Sequence, residues 1–140
     1  MRILLDANIC LDLLDTTRAT SAASVEWYMK HKDNEMIEFY LSGDFITSFY
    51  YILAERRKLP SQIVVQAIDA LTQEISPLYL SHSDFIFAKS SFFDGEFDDF
   101  DDLLILHSAI RGNCEQLLTN NKSLLRLSSF KDLNISDTSA

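Results

Sequence analysis

The chain has 140 residues, 47% hydrophobic and 24% charged, with a formal net charge of −9, which fits one ordinary globular domain and excludes a disordered or fibrous class. No apolar run approaches the about 18 residues of a membrane span, and Asp6 falls too early for a secretory leader. Cys10 and Cys114 lack the spacing of a zinc site or a disulfide framework, so a soluble, cytoplasmic protein with reduced thiols is expected.

In chain order, RILL at 2–5 is a short apolar run that stops abruptly at Asp6. That is the pattern of a buried parallel strand whose C-terminal end opens into a polar loop. IEFYLS (37–42) and EQLLT (115–119) read the same way. Between them, Phe45, Phe49, Ile52 and Leu53 recur at helical spacing, with Ser42 or Asp44 available as caps. Ile63, Val64, Ala67, Ile68, Leu71 and Ile75 make a cleaner stripe that begins just after Pro60 and Ser61. LLILHSAI (103–110) is apolar nearly all round and predicts a central helix, covered by sheet on one side and by helices on the other. Strands alternating with helices predict an α/β sandwich with a parallel sheet, as one domain over 1–135 with a frayed tail at 136–140.

Most of the negative charge is local. Asp94, Glu96, Asp98, Asp99, Asp101 and Asp102 place six acids in nine positions, directly before that central helix. In a parallel sheet, ligands bind beyond the C-terminal strand ends, where Asp6 and Thr119 fall. Asp6, the pair Asp101 and Asp102, and TNNK (119–122) thus bring oxygen donors from three separate segments to one edge. Carboxylates, amide carbonyls and water are the ligands of Mg²⁺ and Mn²⁺, and such an ion would acidify a water and stabilise the leaving oxygen of a phosphodiester. A plainer reading stands beside this one, since acids at a helix start also cap free N–H groups and complement the dipole. Asp98, Asp99, Asp94 and Glu96 also read as a solvated loop, and the run lacks the alternate-ligand pattern of an EF-hand. Asp6 is harder to explain as structure, because a carboxylate ending an apolar strand must be paired, hydrogen-bonded or bound to a cation. Asn8 is placed to bond the loop backbone and orient Asp6, and Asp12 reads as structural.

These residues resemble a PIN domain, the metal-dependent ribonuclease fold that includes VapC-type toxins. The resemblance runs from ILLDANICLDLL through LSGDFITSFYYIL and DDFDDLLILHSAI to LLTNNKSLL. It implies a three-layer α/β/α sandwich with a central parallel sheet, and acids clustered around one or two Mg²⁺ or Mn²⁺ ions that cut RNA. Asp6 matches the family's first acid, in an Asp-x-Asn setting with Asn8, and Asp102 matches the acid heading the central helix, with Asp101 or Asp99 beside it. Thr119 and Asn120 would complete the site, and the catalytic set implied is Asp6, Asp101, Asp102 and Asn120, with Asp6, Asp99 and Asp102 as metal ligands. One position departs from the pattern: Ser48 stands where many members carry Glu, with Asp44 one turn earlier as a substitute. The resemblance also implies a homodimer and, for a toxin, an antitoxin covering the groove with help from the aromatic helix at 45–53.

Lys122 and Arg126, beside the proposed site, are the better contacts for RNA phosphate; Arg56, Arg57 and Lys58 read as a solvated helix end. His107, five residues past Asp102, is rotated off the acid's face and reads as a packing residue, as do Trp27, Tyr28, Tyr50 and Tyr51. Two functions follow: a metal-dependent endoribonuclease, or a PIN-like binding module that holds metal poorly because Ser48 replaces Glu. A haloacid-dehalogenase-like phosphatase wants Asp-x-Asp, and position 8 is Asn.

Overall fold

The computed structural model describes residues 1–139. Strands β1 (Arg2–Leu5), β2 (Glu38–Ser42), β3 (Ser76–Leu78), β4 (Gln116–Leu118), β5 (Ser129–Phe130) and β6 (Leu133–Ser136) form one sheet in the order β3-β2-β1-β4-β6-β5. Every neighbouring pair is parallel except β5 with β6. The helices are α1 (Ala7–Leu14), α2 (Ser21–His31), α3 (Ile46–Tyr50), α4 (Ser61–Glu74), α5 (His82–Phe93), α6 (Phe100–Arg111) and α7 (Lys122–Leu127).

Side chains alternate across a strand, and both faces of this sheet are covered, which is why RILL is apolar without a break. Ile3 and Leu5 join Ile9, Trp27, Phe49, Leu53 and Val64 in one core cluster, beneath α1 to α4. Leu4 joins Leu103, Leu106, Ala109 and Leu124 in the other, beneath α5 to α7. The result is a three-layer α/β/α sandwich. The register then fixes the site: Leu5 pairs with Leu118, and Leu118 with Ser136, so the residues just past β1 and β4 emerge side by side. The Asp6 N–H donates to the Leu118 carbonyl at 2.9 Å, and the Thr119 N–H to Ser136 at 3.0 Å.

The helix expected over 45–53 has no side-chain cap from Ser42 or Asp44. A 3₁₀ turn, Gly43–Phe45, precedes α3, and the chain continues from α3 into a π-helix, Tyr51–Arg56. A Cβ at Gly43 would lie 2.5 Å from the Tyr79 ring, so glycine lets this exposed ring lie against the turn. Of the tail expected to fray over 136–140, Ser136 is the last residue of β6, and Asp137 accepts from the Ser139 N–H at 2.9 Å. Ala140, the last residue of that expected tail, lies outside the described residues.

An ion pair between a buried acid and an exposed arginine ties α5 to α6. Asp84 is 1% exposed and accepts from Arg111 Nε at 3.0 Å and Nη2 at 3.0 Å, while its Oδ2 also accepts from the Ser81 N–H at 2.9 Å. Removing one partner strands a buried charge. Arg111→Ala is therefore expected to cost about 3 kcal/mol, seen as a drop of about 10 °C in Tm by differential scanning calorimetry.

Candidate metal centre

Asp6 ends β1 and caps α1: Oδ1 accepts from the Ala7 N–H at 2.8 Å. Its Oδ2 accepts from Thr119 Oγ1 at 2.7 Å and from Asn8 Nδ2 at 3.4 Å. Asn8 turns its carbonyl the other way, taking the Asn120 N–H at 3.1 Å, so the loops after β1 and β4 are joined by side chains as well as by register. Burial raises the Asp6 carboxyl above its ordinary value, and the bonds from Thr119, Ala7 and Asn8 only partly offset it.

Across from it stands the first turn of α6. Asp99 is the N-cap, accepting the Asp102 N–H at 3.1 Å, so one member of the acid run serves the helix. Asp102 lies half-buried, while Asp101 is exposed. Burial, then the charges of Asp99, Asp6, Asp101 and Asp98, push the Asp102 carboxyl up to about 6. Asp6 and Asp102 are therefore close enough to repel, and among the described residues neither they nor Asp99 or Asp101 form an ion pair. Glu96 does: it lies 3.8 Å from Lys131.

The donor set decides what fits. Among the described residues, no three acidic, histidine or cysteine side chains converge as an enclosing metal group. Mg²⁺, however, is usually held by one or two carboxylates with several waters kept, and Mn²⁺ shares its preference for oxygen ligands. Two mutually repelling carboxylates with oxygen donors beside them, and no cation paired to them among the described residues, fit an open two-carboxylate site of that kind.

The other expected residues separate. Thr119 is fully buried and bonds Asp6. Asn120 directs its Nδ2 to Asp12, at 3.1 Å, rather than to Asp6. Asp44 serves the loop instead: its Oδ2 accepts the Leu80 N–H at 2.8 Å, stapling the turn before α3 to the chain after β3. Ser48 is exposed on α3. Lys122 begins α7, exposed, and Arg126 reaches Ser123 Oγ at 3.2 Å on the same helix. Arg57 is not a free cation: it pairs with Asp15 and donates to Thr17 at 2.7 Å, anchoring the loop between α1 and α2. His107 is buried against Phe87, its Nε2 2.8 Å from Ser91 Oγ, and burial lowers its pKa. Trp27 and Tyr28 are core residues.

Sequence reasoning passed over the partners of Asp12, which is fully buried and accepts from Arg18, Thr20, Ser24 and Asn120. The available signal was a carboxylate inside the apolar ANICLDLL, which must find donors somewhere. Asn121 was also missed; it caps α7 by accepting from Ser123 and Leu124.

No helix among the described residues is long and apolar enough to cross a membrane. No curated protein matches the sequence. In overall structure the chain is similar to VapBC2 from Rickettsia felis, crystallised bound to a DNA fragment from its promoter, with a TM-score of 0.70, 17% identity and 98% of each chain covered. At that identity the likeness is one of fold. The sequence profile of the PIN domain matches residues 2–123. With that match, the chain belongs to the PIN domain family.

Proposed function

We propose that this PIN domain is a divalent-metal-dependent endoribonuclease that hydrolyses RNA phosphodiester bonds, acting in the cytoplasm as the toxin of a toxin-antitoxin pair. The observation that carries the reading is that Asp6, at the C-terminal strand edge, and Asp102 repel each other while neither has a cationic partner among the described residues. Asp6, Asp102 and the Asn120 carbonyl would hold Mg²⁺ or Mn²⁺, with Asp99 and Asp101 adding negative field. A bound divalent ion supplies Lewis acidity at the scissile phosphate and a water acidic enough to attack it. Thr119 and Asn8 keep Asp6 aimed, and the exposed Lys122 and Arg126 receive flanking phosphates. The similarity to VapBC2 supports an antitoxin partner, for which the exposed Tyr51 and half-buried Tyr50 offer aromatic surface. A homodimer belongs to the same reading.

The test is cleavage of a mixed pool of labelled RNAs by antitoxin-free protein in Mn²⁺, Mg²⁺ or EDTA. Cutting that requires the ion supports the nuclease; equal cutting in EDTA, or none in either ion, overturns it.

Ser48 favours a second reading, a binding module with a weak metal site, because no carboxylate faces the centre from α3. A rise in Tm with Mn²⁺ and no cleavage would support that module. Ligand charge sets affinity in oxygen sites, and Ser48 is exposed, so a longer acid there buries nothing. Ser48→Glu is expected to tighten Mn²⁺ binding about tenfold, read by isothermal titration calorimetry.

A further inference from the structure

We infer that Asp12 is a positioning residue for the cation site, setting which end of the Asn120 carboxamide the site receives. The inference rests on the metal-dependent reading above. Asp12 has no exposed surface, yet four donors from three segments converge on it. Oδ1 accepts from Arg18 Nε at 2.8 Å and Thr20 Oγ1 at 2.8 Å; Oδ2 accepts from Ser24 Oγ at 2.6 Å and Asn120 Nδ2 at 3.1 Å. Arg18 and these hydroxyls keep the carboxyl ionised, and an ionised carboxylate only accepts.

The carboxamide facing it must therefore present its NH₂, and Oδ1 points the opposite way. The Asn120 backbone is already fixed, because its N–H donates to Asn8, whose own amide lies on Asp6. Among the described residues Oδ1 accepts no hydrogen bond, and no buried side-chain polar atom is left without a partner, so this oxygen is open to solvent. Asp12 thus turns a side chain with two interchangeable ends into a neutral oxygen donor of fixed direction. It also explains why an amide suits position 120, since a carboxylate there would face the Asp12 charge.

A reciprocal exchange tests this, with Mn²⁺ affinity read by water-proton relaxation and folding by circular dichroism. Asp12→Asn removes the directing charge and should weaken Mn²⁺ binding about tenfold, the lower end of the effect of losing a residue that orients a ligand. Asn120→Asp alone should lower Tm without tightening binding, because two carboxylates meet. In the double variant D12N/N120D the amide introduced at position 12 can donate to the carboxylate introduced at position 120, while Ser24 rotates to accept. Its affinity should equal or exceed that of the wild type. Wild-type affinity in a folded D12N, or a double variant no better than N120D, overturns the inference and leaves the metal reading standing. A wild type that binds no Mn²⁺ overturns both. Should D12N not fold, an Mg²⁺ titration of the wild type followed by NMR decides: a shifting Asn120 Cγ resonance supports the inference, and an unmoved one overturns it.

Discussion

Asp6→Asn is expected to abolish metal-dependent RNA cleavage, by more than about a hundredfold, because losing a ligand should exceed the 10–100-fold cost of losing a residue that merely orients one. The same change should leave the metal-free protein as stable as the wild type or more so. An Asn side chain still accepts the Ala7 N–H but gives up the Thr119 bond, because Thr119 Oγ1 already accepts from Asn8 Nδ2 at 3.3 Å and from the Asn121 N–H at 3.0 Å. The charge disappears with it, and its loss offsets that bond. Burial holds the folded Asp6 carboxyl above its unfolded value, so the native state favours the protonated form. Ionisation at neutral pH therefore opposes folding, and the opposition grows as pH climbs through the folded value. Thermal melts in EDTA at pH 7.5 check this. A lower Tm for the variant would mean that Asp6 is chiefly a helix cap whose loss costs structure.

Asp102 gives the second large effect and ties it to pH. Its carboxyl sits at about 6 against an ordinary 3.8, raised first by burial and then by Asp99, Asp6, Asp101 and Asp98. Between those two values the folded protein binds more protons than the unfolded chain, so the stability of the metal-free protein falls as pH rises through that window. Asp102→Asn removes this slope. With Mn²⁺ the dependence reverses, because the ion needs the ionised carboxylate and must displace a proton below about 6. The gain in Tm from Mn²⁺ should then be smaller at pH 5.5 than at pH 7.5, and cleavage should decline as pH falls through that value. Asp102→Asn should lose cleavage by more than about a hundredfold at every pH. A gain in Tm that does not vary with pH would separate Asp102 from the metal.

The parts of this architecture that were legible in the sequence are those encoded locally. RILL, a continuous apolar run ending in an acid, reads as a strand buried on both faces, and the stripe from Ile63 to Ile75 reads as the helix that became α4. Asp6 could be singled out because an acid at the end of such a strand has few structural explanations. What escaped depends on distant pairing or leaves no periodic trace. β3 is three residues with a proline, and it is a strand only because Tyr40, Leu41 and Ser42 lie beside it. α5 carries exposed Phe85, Ile86, Phe87 and Phe93, so it shows no apolar stripe to read. The partner of Asp84 is Arg111, across the packing of α5 on α6, and the partner of Asp12 is Asn120, which the pairing of β1 with β4 brings near. The switch from α3 into a π-helix has no motif behind it. The acid run was legible as charge but not as roles, since Asp99 caps, Glu96 pairs with Lys131, and Asp102 feels the charge of Asp6.

Locating Mn²⁺ by anomalous diffraction from soaked crystals tests most directly whether Asp6 and Asp102 hold a divalent cation between β1 and α6. The expected result is an anomalous peak bridging those two carboxylates, absent from crystals of Asp6→Asn. A peak confined to the exposed acids Asp94 and Asp98, or none at all in a soak saturating enough to protect the fold from heat, would contradict it.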